Sequence, residues 1–195
     1  MRDLIQKAKW GHADTDAHVL TLFSLVVSLG AKKILELGVR DGNSTDALLK
    51  GVEYTGGVVT SVDIEGTSYV PTNKSRWHFH RGDALVFLNT LPEGEMFDLV
   101  FVDDWHSYRH VSDELRLLDQ HVTPASLILL HDTMYGTTPN YHSDLTLKTG
   151  QWANGGPYRA VAELDPQFWE FSTIPVGHGL TILRKKYSTK YFAKE

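Results

Sequence analysis

The chain has 195 residues, no cysteine, and 19 Lys+Arg against 24 Asp+Glu, for a formal net charge of −5. That is enough chain for one domain with a sizeable core. It excludes disulfide scaffolds, cysteine nucleophiles and thiolate zinc sites, and argues against a surface that tracks nucleic-acid phosphates.

The first apolar stretch, Val19–Leu29, is shorter than the ~20 residues of a membrane span. It contains Thr21, Ser24 and Ser28, and acids (Asp14, Asp16) precede it where a secretory signal wants positive charge. It reads as a buried helix capped at Asp14 or Thr15 and stopped at Gly30, with Val19, Leu22, Phe23, Val26 and Val27 on its inner face. The expected location is cytoplasmic, with no membrane partner. Lys33–Leu37 follows as a short strand before Gly38, then a helix over Asn43–Lys50. Val58–Val62 is a second β-rich run and Trp77–Arg81 a weaker third. Ala84–Leu91 is helical, Phe97–Val102 strand-like, Tyr108–Gln120 helical and Ser126–Leu130 a further buried strand. Continuous apolar strands separated by helices indicate a parallel sheet covered on both faces. Pro157–Leu164 reads as a helix with Pro in its first turn. Trp169–Ile174 and Leu180–Arg184 are strands joined by Pro175–Gly179, a link short enough to make them antiparallel. The expected fold is α/β: a three-layer sandwich with a seven-stranded, mostly parallel sheet whose last strand is antiparallel. Met134–Gly155 fits no period and is long enough to be functional. Lys185–Glu195 reads as a surface tail.

The chemistry gathers where strands end. Glu36-Leu-Gly38-Val-Arg-Asp-Gly42-Asn43-Ser44 closes the first strand and opens a helix. Glycines there admit a ligand to the backbone, and the helix start offers free N–H groups. The spacing is G-x-x-x-G, not the G-x-G-x-x-G of dinucleotide folds. Asp63 ends the second strand, 21 residues after Gly42, placed either to accept both hydroxyls of a ribose or to cap a helix. Gly82-Asp83-Ala84 ends the third; Asp83 either faces an adenine amino group or caps the next helix. Asp103 and Asp132 lie beyond the fourth and fifth strands. If those strands are neighbours, both acids reach one cation: carboxylates suit Mg²⁺, and His131 would tilt the site toward Mn, Fe or Zn. The alternative is that both acids only order turns. Trp105 is placed to stack on a base or to pack. His12, His18, His110, His121 and His142 read as solvated, His78 and His80 as packing or pairing residues, and His178 has no assigned role.

These motifs resemble the class I S-adenosylmethionine-dependent methyltransferases, whose fold is Rossmann-like, over about residues 30–185. The Val102-Asp103-Asp104-Trp105-His106 and Leu130-His131-Asp132-Thr133 segments resemble the small metal-dependent O-methyltransferases, both the catechol type and the bacterial type acting on natural-product sugars. Val176-Gly-His-Gly-Leu180 is similar to the latter. The resemblance implies that Glu36, Gly38, Gly42, Asn43, Ser44, Asp63, Ile64, Gly82, Asp83, Ala84, Asp103 and Trp105 hold S-adenosylmethionine. It implies that Asp103, Asp132 and His131 hold a divalent metal (Mg²⁺ or Mn²⁺), and that Asp103 and His106 are catalytic, His106 as general base. The catechol pattern has Asn at position 133 and the sugar type has Glu at position 131, where this chain has Thr133 and His131. The implied reaction is metal-assisted O-methylation of a small hydroxylated acceptor, with Tyr135, Tyr141 and Trp152 of the long loop as acceptor contacts. Two rivals are an NAD-dependent oxidoreductase, against which the missing G-x-G-x-x-G counts, and a non-catalytic cofactor-binding module. Only about 30 residues precede the first core strand. The acceptor pocket is therefore either open or completed by a second subunit of a homo-oligomer.

Overall fold

The computed structural model describes residues 2–11, 13–134, 150 and 155–188. In chain order these form α1 (Arg2–Trp10), a 3₁₀ turn (Asp14–His18), α2 (Val19–Leu29), β1 (Lys33–Leu37), α3 (Asn43–Thr55) and β2 (Val58–Asp63). Next come a second 3₁₀ turn (Lys74–Arg76), β3 (Trp77–Arg81), α4 (Ala84–Thr90), β4 (Leu99–Val102), α5 (Tyr108–Leu118) and β5 (Leu127–His131), and then α6 (Gly156–Ala162), β6 (Trp169–Ile174) and β7 (Leu180–Lys185). The seven strands make one sheet in the order β3-β2-β1-β4-β5-β7-β6. All are parallel except β7, which runs against both β5 and β6. This is the expected architecture.

Strand alternation sends neighbouring side chains into different cores. Leu35, Leu37, Val100, Val102, Ile128 and Leu130 pack with α4, α5 and α6 residues such as Leu88, Leu115 and Val161. Ile34, Val59, Leu99, Phe101 and Leu129 pack on the other face against α2 and α3, with Leu22, Val26 and Leu48. Each fully buried Leu or Val contributes about 1.5–3 kcal/mol against its exposed state, so two such faces dominate the stability. Val27, expected in the buried stripe, is instead 37% exposed: α2 buries one narrow face, and residue 27 lies to its side. The turn Asp14–His18 leading into α2 is 3₁₀ rather than α, and α3 starts from Gly42 in the left-handed region rather than from a side-chain cap.

Register positions the site. Leu37 stands opposite both Val62 and Val102, and Val102 opposite Leu130. The residues just beyond these strands therefore share one edge of the sheet. Chain order reverses direction between β1 and β4, and ligands of open α/β sheets bind at such a switch point. The reversed β7 adds something a parallel strand could not: its start, and with it the turn after β6, lies at that same edge. Met134 N–H donates to the His178 carbonyl there (2.9 Å).

Lys185, expected to open a surface tail, is 3% exposed. It ends β7 inside the sheet, and its Nζ reaches Asp119 Oδ1 (2.7 Å) and the Asp119 carbonyl (2.8 Å). Burial of the long lysine stem with its charge paired is what holds it there. No helix among the described residues is long and apolar enough to cross a membrane.

Candidate active site

Two adjoining cavities open at the strand ends, with volumes of about 570 and 480 Å³. Gly38, Val39, Arg40, Asp103 and Asp104 line both. The first extends to Asp14, Asn43, Ser44, His106, Asp132 and His178. The second extends to Asp63, Ile64, Gly82, Asp83, Ala84, Trp105 and His110. Of the described residues read from the sequence as site residues, all but Glu36, Gly42 and His131 line one or the other.

Those three sit behind the walls. Glu36 is fully buried, and its carboxylate accepts from Ser44 Oγ (2.7 Å), Thr45 Oγ1 (2.8 Å) and Ser61 Oγ (2.5 Å). It ties the end of β1 to the start of α3 and to β2, so it shapes the Gly38 loop rather than facing the cavity. Burial pushes its carboxyl up to about 7, against the three hydroxyl hydrogen bonds that pull it down. A raised acid stabilises the fold fully below its unfolded value, about 4.5, and that contribution is lost as pH rises through about 7. Glu36→Gln, which cannot ionise, should therefore gain about 3 kcal/mol on the parent between pH 5 and pH 8 in urea melts. A pH-independent difference between the two proteins would refute the assignment. Gly42 has φ +76°, and a Cβ there would land in the ring of Tyr69, 2.3 Å from Cγ.

On the second cavity, the two readings of Asp83 hold together: its Oδ1 accepts from Val86 N–H (2.9 Å), capping α4, while the residue lines the cavity. Asp63 is no helix cap. Its Oδ2 accepts from Val39 N–H (2.8 Å) and Arg40 N–H (3.0 Å), and its Oδ1 from Glu65 N–H (2.9 Å). A carboxylate offers about four acceptor sites, so capacity remains for about one further donor, where two hydroxyls were expected. Trp105 and Ile64 are 48% and 68% exposed on this wall. An apolar surface so open at a cleft suits a stacked base. Behind Asp104, His110 Nε2 meets Asp104 Oδ2 (3.1 Å) and Glu114 Oε1 (3.5 Å). Burial opposes the charge on His110, but the two carboxylates raise it to about 10.

Asp103 and Asp132 do come together, since β4 and β5 are neighbours. His106 Nε2 lies 3.2 Å from Asp103 Oδ1 and 3.1 Å from Asp132 Oδ2. His131 Nδ1 lies 3.2 Å from Asp103 Oδ1 and 3.4 Å from Asp132 Oδ1. Burial works against every charge here, and mutual pairing outweighs it. Both carboxyls are held below the usual range, His106 is raised to about 9 and His131 to about 11. His131 Nε2 lies 2.9 Å from the Gly177 carbonyl, which can only accept, so Nε2 carries a proton. In a neutral ring Nδ1 would then be a bare lone pair facing two carboxylates. That arrangement requires either a second proton or a cation.

Several residues here were not legible in the sequence. His18 and His121, expected to be solvated, are 0% and 1% exposed. His18 Nε2 lies 3.3 Å from the Gly177 carbonyl and its ring meets His131 edge-on at 5.3 Å; His121 Nδ1 lies 2.7 Å from the Glu95 carbonyl. His110 is half-buried between its acids rather than solvated. His178 and Asp14 line the first cavity with Nδ1 and Oδ2 3.2 Å apart. Among the described residues, the non-glycine residues with left-handed φ are Arg40 (51°), Asp132 (58°) and His178 (65°), and all three line that cavity. Strain of roughly 1–3 kcal/mol each persists where surroundings enforce it, often at functional sites. The flanking glycines of Gly177-His178-Gly179 were the available signal. Tyr135, Tyr141 and Trp152 lie outside the described residues, as do His12 and His142.

Comparisons with known proteins give the family and the fold. A family model described as "Methyltransferase domain" matches residues 35–133, more than half of the chain. The chain belongs to the class I S-adenosylmethionine-dependent methyltransferases. A second family model, "Rhamnosyl O-methyltransferase/CmcI", matches residues 88–180 of this methyltransferase. No curated protein matches it. Among solved structures it resembles the O-methyltransferase TomG of Streptomyces achromogenes, in complex with SAM (TM-score 0.67, 17% identity, 94% of this chain and 88% of that one). It also resembles the SAH-bound methyltransferase PaMTH1 of Podospora anserina (0.66, 19%, 94% and 87%). A third is MycE of the mycinamycin pathway, in complex with Mg, SAH and mycinamycin VI (0.63, 19%, 92% of this chain but 51% of that one). Class membership removes the oxidoreductase alternative.

Proposed function

We propose that this methyltransferase carries out metal-assisted O-methylation of a small hydroxylated acceptor, with His106 as general base. The observation that carries the reading is the division of the cleft at Asp103. The second cavity has the groups expected around a nucleoside: Asp63, Asp83, Ile64 and Trp105. The first has the acids and histidines expected around a reacting hydroxyl. Asp103 lines both. Its carboxylate, held ionised, favours a sulfonium beside it.

The residues fit a cation. Asp103 and Asp132 supply hard oxygens, His131 supplies nitrogen behind them, and the Oδ1 of Asp132, a 4% exposed residue, makes no hydrogen bond. When bound, a divalent ion lowers the pKa of an acceptor hydroxyl and fixes its position. His106 lies within hydrogen-bond reach of both acids, which favour its protonated form; in its neutral form it is placed to take the hydroxyl proton as the oxygen attacks the methyl group. The C–O bond forms as the methyl–sulfur bond breaks, and S-adenosylhomocysteine leaves. Bringing two reactants into line supplies much of the acceleration. The acceptor class comes from the sugar- and catechol-type motifs of the sequence.

The experiment is calorimetric titration of S-adenosylmethionine into EDTA-stripped protein, with and without Mg²⁺, followed by turnover on a panel of sugars and catechols. Saturable binding and a metal-dependent product are expected. Binding without turnover on any acceptor would favour a non-catalytic module. Trp105→Ala should weaken cofactor binding about 10-fold, the scale of a lost aromatic contact; an unchanged Kd would return Trp105 to a surface role.

A further inference from the structure

The first cavity holds two ligand-type side chains, Asp14 and His178, that the methyltransferase reading does not use, beside Asp132, which it does. Asp14 comes from the N-terminal 3₁₀ turn, Asp132 from the end of β5 and His178 from the turn before β7. Asp14 Oδ2 lies 3.2 Å from His178 Nδ1, and Asp132 Oδ1 lies 3.3 Å from it. All three atoms fall within 4.8 Å of one another. Donors sharing one ion at about 2.1 Å are spaced roughly 3.0–3.4 Å apart, which is the spacing of the two pairs that include His178 Nδ1. Asp132 is the buried member: its residue is 4% exposed, its Oδ1 makes no hydrogen bond, and it faces this cavity. Asp14 and His178 line the cavity with side chains 31% and 37% exposed, while the His178 Nδ1 and Asp132 Oδ1 atoms are themselves buried. His131, by contrast, is 1% exposed and does not line the cavity.

We propose that Asp14, Asp132 and His178 form a cation site on the wall of the first cavity, adjoining Asp103 and His131 through the shared Asp132, and that it takes a transition-metal ion in preference to Mg²⁺. Two carboxylates and one imidazole occupy half of an octahedron. The remaining positions face the cavity, where water or the vicinal oxygens of an acceptor fit. Imidazole nitrogen favours Mn²⁺, Fe²⁺ or Zn²⁺, whereas Mg²⁺ prefers oxygen alone. The ion would also tie the N-terminal segment to the β6–β7 turn, closing one side of the acceptor cavity. Its use in the reaction rests on the metal-assisted reading; its existence does not.

The test uses full-length, EDTA-stripped protein and Mn²⁺ as the probe. Mn²⁺ binding is followed by calorimetry, and nitrogen coordination by the ¹⁴N modulation of its electron spin echo. Wild-type protein should bind Mn²⁺ at least about 10-fold more tightly than Mg²⁺. Asp14→Asn and His178→Gly should each weaken Mn²⁺ about 10–100-fold, and His178→Gly should lose a nitrogen coupling. Glycine is chosen because alanine would strain a left-handed backbone. Unchanged affinity in Asp14→Asn, or an echo without nitrogen modulation in the wild type, would overturn the proposal even if one variant failed to fold. S-adenosylmethionine titrated into the same samples separates the two readings. Cofactor binding with a Mn²⁺ affinity unchanged in Asp14→Asn and His178→Gly overturns this site alone, and Mn²⁺ binding weakened by both variants with no cofactor binding overturns the methyl-transfer reading alone.

Discussion

His106→Ala should lower kcat by about 10²–10⁴, the usual worth of a positioned general base, while the Kd for S-adenosylmethionine stays within a few-fold. The split follows from where His106 lies. It lines the first cavity and not the second, whereas the nucleoside-type groups line the second and not the first. Its ring is 90% buried at the side chain and held by two carboxylates from different strands, so its position is set by the sheet rather than by a loop. The variant leaves Asp103 and Asp132 facing each other without their imidazole. Some loss of thermal stability in metal-free protein is expected, because removing one partner of a buried pair exposes the other to an uncompensated penalty. A divalent ion should restore it. Stopped-flow single-turnover assays with saturating cofactor give the decisive number. A kcat within threefold of wild type would remove His106 from the chemistry. A parallel collapse of cofactor binding would make it a structural residue.

Gly38→Ala should destabilise the protein by about 3 kcal/mol and abolish cofactor binding. Gly38 has φ +90°, and a Cβ there would stand 2.2 Å from the carbonyl oxygen of Asp103 and 2.6 Å from its carbon. Those are backbone atoms at the end of β4, and they cannot swing aside as a side-chain tip can. The pair is also hydrogen-bonded into the sheet: Gly38 N–H donates to Val62 (2.9 Å), and Asp103 N–H to Leu37 (2.8 Å). Relief of the clash must therefore part β1 from β4 at the point where both cavities meet. Gly94→Ala separates the two costs. Gly94 has φ +86° but open space around it, so its variant pays the left-handed penalty of about 1–2 kcal/mol and no clash. Urea melts of both variants give the difference, with cofactor titration alongside. Equal destabilisation at the two positions would mean that the close approach to Asp103 contributes nothing.

Much of this protein was legible in its sequence because local pattern and burial coincide. The runs Lys33–Leu37, Val58–Val62, Phe97–Val102 and Ser126–Leu130 are near-continuous apolar strands rather than alternating ones, and a sheet covered on both sides is what buries such strands. The brevity of Pro175–Gly179 dictated an antiparallel return. With the strands in place, residues at or just beyond their ends had to share an edge, so Asp63, Asp83, Asp103 and Asp132 were placed at that edge from position alone. Glu36 shows where that logic stops. Its place at the end of β1 was right, but only the packing of Ser44, Thr45 and Ser61 around its carboxylate turned it inward, to hold the loop rather than face the cavity. His18, His131 and His178 lie far apart in the chain, and no period links them. Their convergence on Gly177 and Asp132 needed β7 to enter the sheet backwards beside β5, delivering its turn to the edge where the cavities open. Solvation is the physical reason for the difference. A hydrophobic residue announces its burial by its type, whereas a histidine or an acid is buried only if tertiary structure supplies a partner, and that partner is invisible until the chain is folded.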